Sequence, residues 1–100
     1  MPINVTTKES DNTIRIHVID RFDYSVHKEF REAYKNSSED AKFVIDMSQA
    51  SYMDSSALGM LLLLREHLKD HGSNITITGC NAELKKTLEI SNFHNLVNIV

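Results

Sequence analysis

The stretch from Phe43 to Leu68, FVIDMSQASYMDSSALGMLLLLREHL, constrains this chain more than any other, because a short polar turn joins an apolar strand to an apolar helix. Phe43 to Met47 is too short for a helix and rich in strand formers, so its nearly continuous apolar run predicts a strand covered on both faces. Asp46 is its one charge. Ser48-Gln49-Ala50-Ser51 reads as loop, Tyr52 and Met53 return toward the core, and Asp54-Ser55-Ser56 opens a helix. Asp and Ser suit that position because a side-chain oxygen accepts from the free N–H groups of the first helical turn.

At 100° per residue, Ala57, Leu61, Leu64 and Leu68 form one narrow stripe flanked by Met60 and Leu58, and that stripe is expected to pack on the sheet. Leu62 and Leu63 fall on the opposite half of the wheel with Ser55, Gly59, Glu66 and Asp70. They are leucines where a solvated helix carries Lys or Glu. Either a neighbouring loop covers them or they form a partner surface, since only a contiguous exposed patch is informative.

Asp46-Met47-Ser48, Tyr52-Met53-Asp54-Ser55-Ser56-Ala57-Leu58-Gly59 and Leu61-Leu62 together resemble the signature of the STAS domain, as in bacterial anti-sigma factor antagonists. The likeness covers nearly the whole chain. It implies an α/β fold with a mixed sheet and crossover helices, in β-β-α-β-α-β-α-β order, as a single domain over residues 1–100. It also implies a phosphorylation-controlled partner switch. Ser55, directly after the Met-Asp pair, corresponds to the serine phosphorylated by an anti-sigma factor kinase, with Ser56 as the less favoured acceptor. A PP2C-type serine phosphatase reverses the modification, and Asp54 matches the acidic neighbour. On this reading Asp54, Ser55, Ser56, Gly59, Leu62 and Leu63 meet the partner. Ala57 stands where many members have Gly, and Asp20 where the family often has Gly after its second strand. Where other members continue into a C-terminal helix, this chain stops at Val100.

A chain of 100 residues fits one domain with a modest core. The net charge of −3, with Lys and Arg scattered among Asp and Glu, gives no basic stripe for phosphates, so direct nucleic-acid binding is not expected. The longest wholly apolar run, Met60 to Leu64, is far below the roughly 20 residues that span a bilayer, and no secretory signal opens the chain. No membrane insertion and a cytoplasmic location are expected. The single cysteine, Cys80, fits a reducing compartment.

Along the chain, Ile3 and Val5 predict a first strand, Glu9 to Asn12 a polar turn, and Ile14, Ile16 and Val18 a second strand pairing as a hairpin. Asp20 to Tyr24 is read as a connection. Ser25 to about Asn36 is read as a helix, with Val26, Phe30, Ala33 and Tyr34 inward and Lys28, Glu29, Arg31 and Glu32 wet. The second helix is expected to run to about His71, with Gly72 as its left-handed terminator. Ile75 and Ile77 mark a fourth strand, Asn81 caps a third helix carrying Leu84 and Leu88, and Leu96 to Val100 is an edge strand. Crossovers are expected to be right-handed, with the Asp54 turn at the carboxyl end of a central strand, where ligands favour binding in such sheets.

The competing chemistries have little support. His67 and His71 have an i, i+4 spacing that can hold zinc, but no third ligand is evident, so neither metal nor cofactor is expected. His17, His27 and His94 have no partner by spacing. There is no Gly-x-Ser-x-Gly elbow, phosphate loop or Cys-x-x-Cys, so the chain does not read as an enzyme. An aspartate-phosphorylated receiver, suggested by Asp46 and Asp54, is weakly supported, because it needs a cluster of acidic residues for magnesium, a Lys late in the sheet, and more chain than this. By position alone Ser55 is a capping serine. The alternative within the STAS resemblance is a structural subunit of a lipid-transport ATPase complex, with no phosphoserine.

Overall fold

Alternation of apolar and polar residues governs the sheet, and it places nearly every buried strand residue on a single face. The protein, a computed structural model, is described for residues 3–8, 12–69 and 71–100. Among these, the strands are β1 (Ile3–Lys8), β2 (Thr13–Phe22), β3 (Lys42–Met53), β4 (Ile75–Thr78) and β5 (Asn98–Ile99). The helices are α1 (His27–Tyr34), α2 (Ser55–His67) and α3 (Ala82–Ile90), with short 3-10 turns at Tyr24–Val26, His71–Asn74 and Phe93–Asn95. The strands line up β1-β2-β3-β4-β5 in one sheet, antiparallel between β1 and β2 and parallel elsewhere. The element order, the mixed sheet and the hairpin are as the sequence predicts. Residues 9–11 of the expected turn lie outside the described residues.

Ile16, Ile45 and Ile77 sit side by side across β2, β3 and β4. With Val18, Phe43, Met47 and Ile75 they join Phe30 of α1, Leu61 and Leu64 of α2 and Leu88 of α3 in one buried cluster. Truncating such a leucine to Ala typically costs about 2–5 kcal/mol. On the other face, Arg15 is exposed while His17, Val44, Asp46, Thr76 and Thr78 are half-buried. The expectation that β3 is covered on both faces is therefore corrected. One face is dry, and the other is a polar surface on which Asp46 pairs with Arg15 at 3.4 Å and His17 at 3.3 Å.

Several boundaries move. β3 does not stop at Met47: Ser48 to Met53, expected to be loop and return, continues the strand because β2 continues beside it, pairing Ile19 with Gln49 and Phe22 with Met53. Two register shifts accommodate the run, between His17 and Ile19 and between Asp20 and Arg21. Asp20, read as connection, lies in the second irregularity with φ 65°, held by the Ser51 hydroxyl, which donates to its carboxylate at 2.7 Å. A left-handed residue here explains why glycine suits this position; Asp is among the residues that tolerate it. Tyr52 points outward, 39% exposed. α1 is shorter than expected and preceded by a 3-10 turn, for which Asp23 accepts from the backbone N–H of Ser25. Glu29 is half-buried instead of wet.

α2 ends at His67, not His71, since Leu68 turns extended (φ −92°, ψ 140°) to bury its side chain in the core. Gly72 falls inside the following 3-10 turn and does not terminate the helix. β5 shrinks from the expected Leu96–Val100 to two residues, because Phe93–Asn95 forms a turn first.

Candidate functional site

β3, the central strand, delivers the chain to α2 through a single residue, Asp54, which is extended at φ −126°. Its Oδ1 accepts from the N–H groups of Ser56 at 3.0 Å and Ala57 at 3.3 Å. The same oxygen accepts from the Ser56 hydroxyl. Asp54 is therefore the N-cap, satisfying donors that the first helical turn leaves free.

The two serines that the sequence places together are thereby separated in chemistry. Ser56 is half-buried and its hydroxyl is committed to the cap. Ser55, the first helical residue, is exposed, and among the described residues its hydroxyl has no hydrogen-bond partner. No acidic residue occupies the first turn of α2. An exposed alcohol therefore stands at the positive end of the helix dipole, which favours negative charge, beside the Asp54 carboxylate that already caps it.

The wheel is reproduced: Ala57, Met60, Leu61, Leu64 and Leu68 are buried. Leu62 and Leu63 are 40% and 61% exposed, so no loop covers them. Ser55, Gly59, Leu62 and Leu63 thus share the outward side of α2. A Cβ on Gly59 would meet nothing within 4 Å, so nothing inside the domain requires a glycine there. Ala57 is fully buried, and its methyl group packs in the core.

Sequence reasoning missed the neighbours of this face. Leu63 and Met60 line a small cleft of about 180 Å³ between α1 and α2 with Tyr24, His27 and Tyr34. Tyr24 is 64% exposed and stacks on His27 at 4.0 Å, while His27 Nδ1 lies 2.8 Å from the Tyr24 carbonyl. At the end of β2, Arg21 lies over the Tyr52 ring at 4.1 Å and donates to Asp23 at 3.1 Å. The Ser25 hydroxyl and then the Arg21 guanidinium hold the Asp23 carboxyl below its usual range. A pattern search for helix faces does not find Arg21, Asp23, Tyr24 and Tyr52, because they sit on strand ends and turns.

The other candidates are otherwise engaged. His67 Nε2 lies 3.1 Å from both the hydroxyl and the carbonyl of Ser37, and its ring packs on Tyr34. The side chain of His71 is outside the described residues, and among those described no group of three or more metal-ligating side chains converges. Asp46, part of the matched motif, is turned to the open sheet face, where Ser48 and then His17 and Arg15 hold its carboxyl below the usual range. Cys80 is half-buried, and burial raises its thiol pKa. Among the described residues no helix is long and apolar enough to cross a membrane.

The profile of the STAS domain matches residues 4–100. The chain belongs to the STAS domain family. This STAS domain is 39% identical over 100 residues to a STAS-domain containing protein of Pseudomonas aeruginosa, covering 99% of each chain. It is 25% identical over 100 residues to the anti-sigma-B factor antagonist of Bacillus subtilis, covering 99% of this chain and 92% of the relative. Among solved structures its fold is similar to the anti-sigma factor antagonist SpoIIAA in its unphosphorylated form, with a TM-score of 0.72 at 14% identity over 98% of this chain and 86% of the other. The phosphorylated form of SpoIIAA from Bacillus superposes with a TM-score of 0.66 at 14% identity, over 98% of this chain and 90% of the other. The STAS domain described here has an anti-sigma factor antagonist-like fold.

Proposed function

We propose that this protein is an anti-sigma factor antagonist working in a phosphorylation-controlled partner switch, in which the unmodified form binds an anti-sigma factor of the serine-kinase type and phosphorylation of Ser55 releases it. The observation that carries the reading is the division of labour at the start of α2: Asp54 and Ser56 complete the cap between them, leaving the Ser55 hydroxyl exposed and, among the described residues, unpartnered. The outward leucines support it, since Leu62 and Leu63 flank Gly59, whose missing side chain lets another backbone approach closely. The chain acts by binding and is the substrate, not the agent, of catalysis. A PP2C-type serine phosphatase returns it to the binding form.

The switch follows from electrostatics. A phosphoserine adds about −1.5 to −2 charges. In the free domain the helix N-terminus accommodates them, with Asp54 offsetting part of the gain. In the complex the same group is desolvated against a surface shaped for a neutral serine, where an unpaired charge costs several kcal/mol. The fold is indifferent to the modification and the interface is not.

Peptide mass spectrometry after incubation with the cognate kinase, alongside a pull-down from the native cell, tests the reading. Phosphate on Ser55 with loss of the regulator is the expected result. Modification of Ser56 alone defeats the assignment. A permanently unmodified protein held in a transport assembly would replace it with the structural-subunit reading.

A further inference from the structure

The end of the sheet farthest from β5 is unfinished. Among the described residues β1 is an edge strand paired to β2 alone, and its alternation puts Ile3 and Val5 on the same face as the buried Val18 and Ile16 opposite them. Ile3 is covered, but Val5 is 43% exposed. Above it opens a cleft of about 480 Å³ between β1 and α1, lined by Ile3, Val5, Lys28, Glu29, Glu32 and Ala33. Within α1, Oε2 of Glu29 is buried and, among the described residues, has no hydrogen-bond partner. Among the described residues Glu32 is tied to Lys35 beside it, an exposed i, i+3 pair of small energetic weight.

Natural edge strands are guarded by charge, proline or a bulge. The run Ile3-Asn4-Val5-Thr6-Thr7 has none of these, and Lys8 comes only at its end. We infer that β1 and the β1/α1 cleft form the surface by which a second copy of this chain adds its own β1, antiparallel, across a two-fold axis. Three features favour a second copy over another polypeptide. A two-fold axis normal to the sheet pairs β1 with itself antiparallel, and a register centred on Val5 matches Val5 with Val5 and Ile3 with Thr7, keeping both apolar faces on the helix side. A one-residue slip would turn one of them to solvent, so the alternation selects its own register. The cleft rim carries both signs, and the same axis runs the two α1 helices antiparallel, bringing the exposed Lys28 of each copy toward the exposed Glu32 of the other. The two clefts then merge into one covered seam.

Sedimentation equilibrium of the intact protein, from micromolar to millimolar concentration, tests this with a charge exchange. Wild type is expected to dimerise with concentration. Val5→Lys is expected to abolish dimerisation while keeping the far-ultraviolet circular dichroism of the parent. Lys28→Glu is expected to raise the dimer dissociation constant about tenfold, and Lys28→Glu with Glu32→Lys to restore most of it. A protein monomeric across the range overturns the inference, including the case where the edge serves another polypeptide. Dimerisation unaffected by Val5→Lys, or an exchange that fails to rescue, overturns the assigned surface. Since Ser55 is not part of this surface, Ser55→Asp is expected to leave the dimer unchanged.

Discussion

α2 and α3 begin in the same way and end up doing different things. Each follows a parallel strand, and each is opened by an extended Asx residue whose side chain caps the first turn: Asp54 accepts from Ser56 and Ala57, Asn81 from Leu84 at 2.8 Å. Beyond the cap they diverge. α3 places Ala82 first, carries Glu83 in its first turn, and exposes Lys85, Lys86 and Glu89, with Ile90 as the exception near its end. α2 places a free serine first, has no acid in its first turn, and exposes Gly59, Leu62 and Leu63. A helix cap is therefore no mark of function. The mark is an exposed hydroxyl left out of the cap, at the first helical residue, beside two outward leucines.

The largest expected effect breaks the symmetry at the first helical residue. Ser55→Asp should weaken binding of the regulator, approaching the ~10²–10³-fold loss (~3–4 kcal/mol) expected for the phosphoserine, while Ala82→Asp at the matching place in α3 leaves it unchanged. Isothermal titration of both variants checks this, and equal losses would mean that charge anywhere near this end of the sheet suffices. Next, Leu62→Lys should weaken binding about tenfold or more with little change in melting temperature, whereas Lys85→Ala does neither. A steep fall in melting temperature for Leu62→Lys would make that leucine part of the core.

Smaller effects sharpen what the two helices share. Asp54→Ala and Asn81→Ala should each destabilise the domain by about 1 kcal/mol, a drop of roughly 4–8 °C in Tm, with Asp54→Asn near the parent. Two caps that fail to differ from wild type in thermal melts would remove the common element. The smallest effect is the response of α2 to phosphate itself, a stabilisation of ~0.3–1 kcal/mol reduced by Asp54. Amide chemical shifts should change around Ser55 and leave Phe43 and Leu84 in place; changes spreading to those residues would show a rearranged fold.

What the sequence revealed and what it concealed divides along physical lines. The stripe Ala57, Leu61, Leu64, Leu68 was legible because helical period and burial coincide, and Asn81 because capping is local chemistry. The outward placement of Ser55 came from the same wheel. The second half of β3 was illegible, since Ser48, Gln49 and Ser51 are exposed and only the continuing β2 makes them strand. The continuous apolar run misled at Val44, where it implied a second covered face and the structure leaves Val44 half-buried on a polar one. At the site, the wheel separated Ser55 from Ser56 by angle but not by chemistry. That the Ser56 hydroxyl is engaged by Asp54 depends on a rotamer, which no spacing encodes. The Arg21 and Tyr52 stack joins two strands 31 positions apart at its centre and needed the register of β2 on β3.

The length of β3 has a consequence for affinity. A strand of 12 residues, flanked along its course by β2 and in its first half by β4, carries the peptide directly into Asp54 and Ser55. The hydroxyl is thus set one residue beyond the end of a hydrogen-bonded strand rather than on a loop. Ordering one residue on binding costs about 1–2 kcal/mol, and here that cost has already been met by folding. A partner docking on α2 encounters a rigid template, so the strength of the complex depends on contact chemistry and not on how much chain must be stilled. Under that condition a single phosphate can govern an entire encounter.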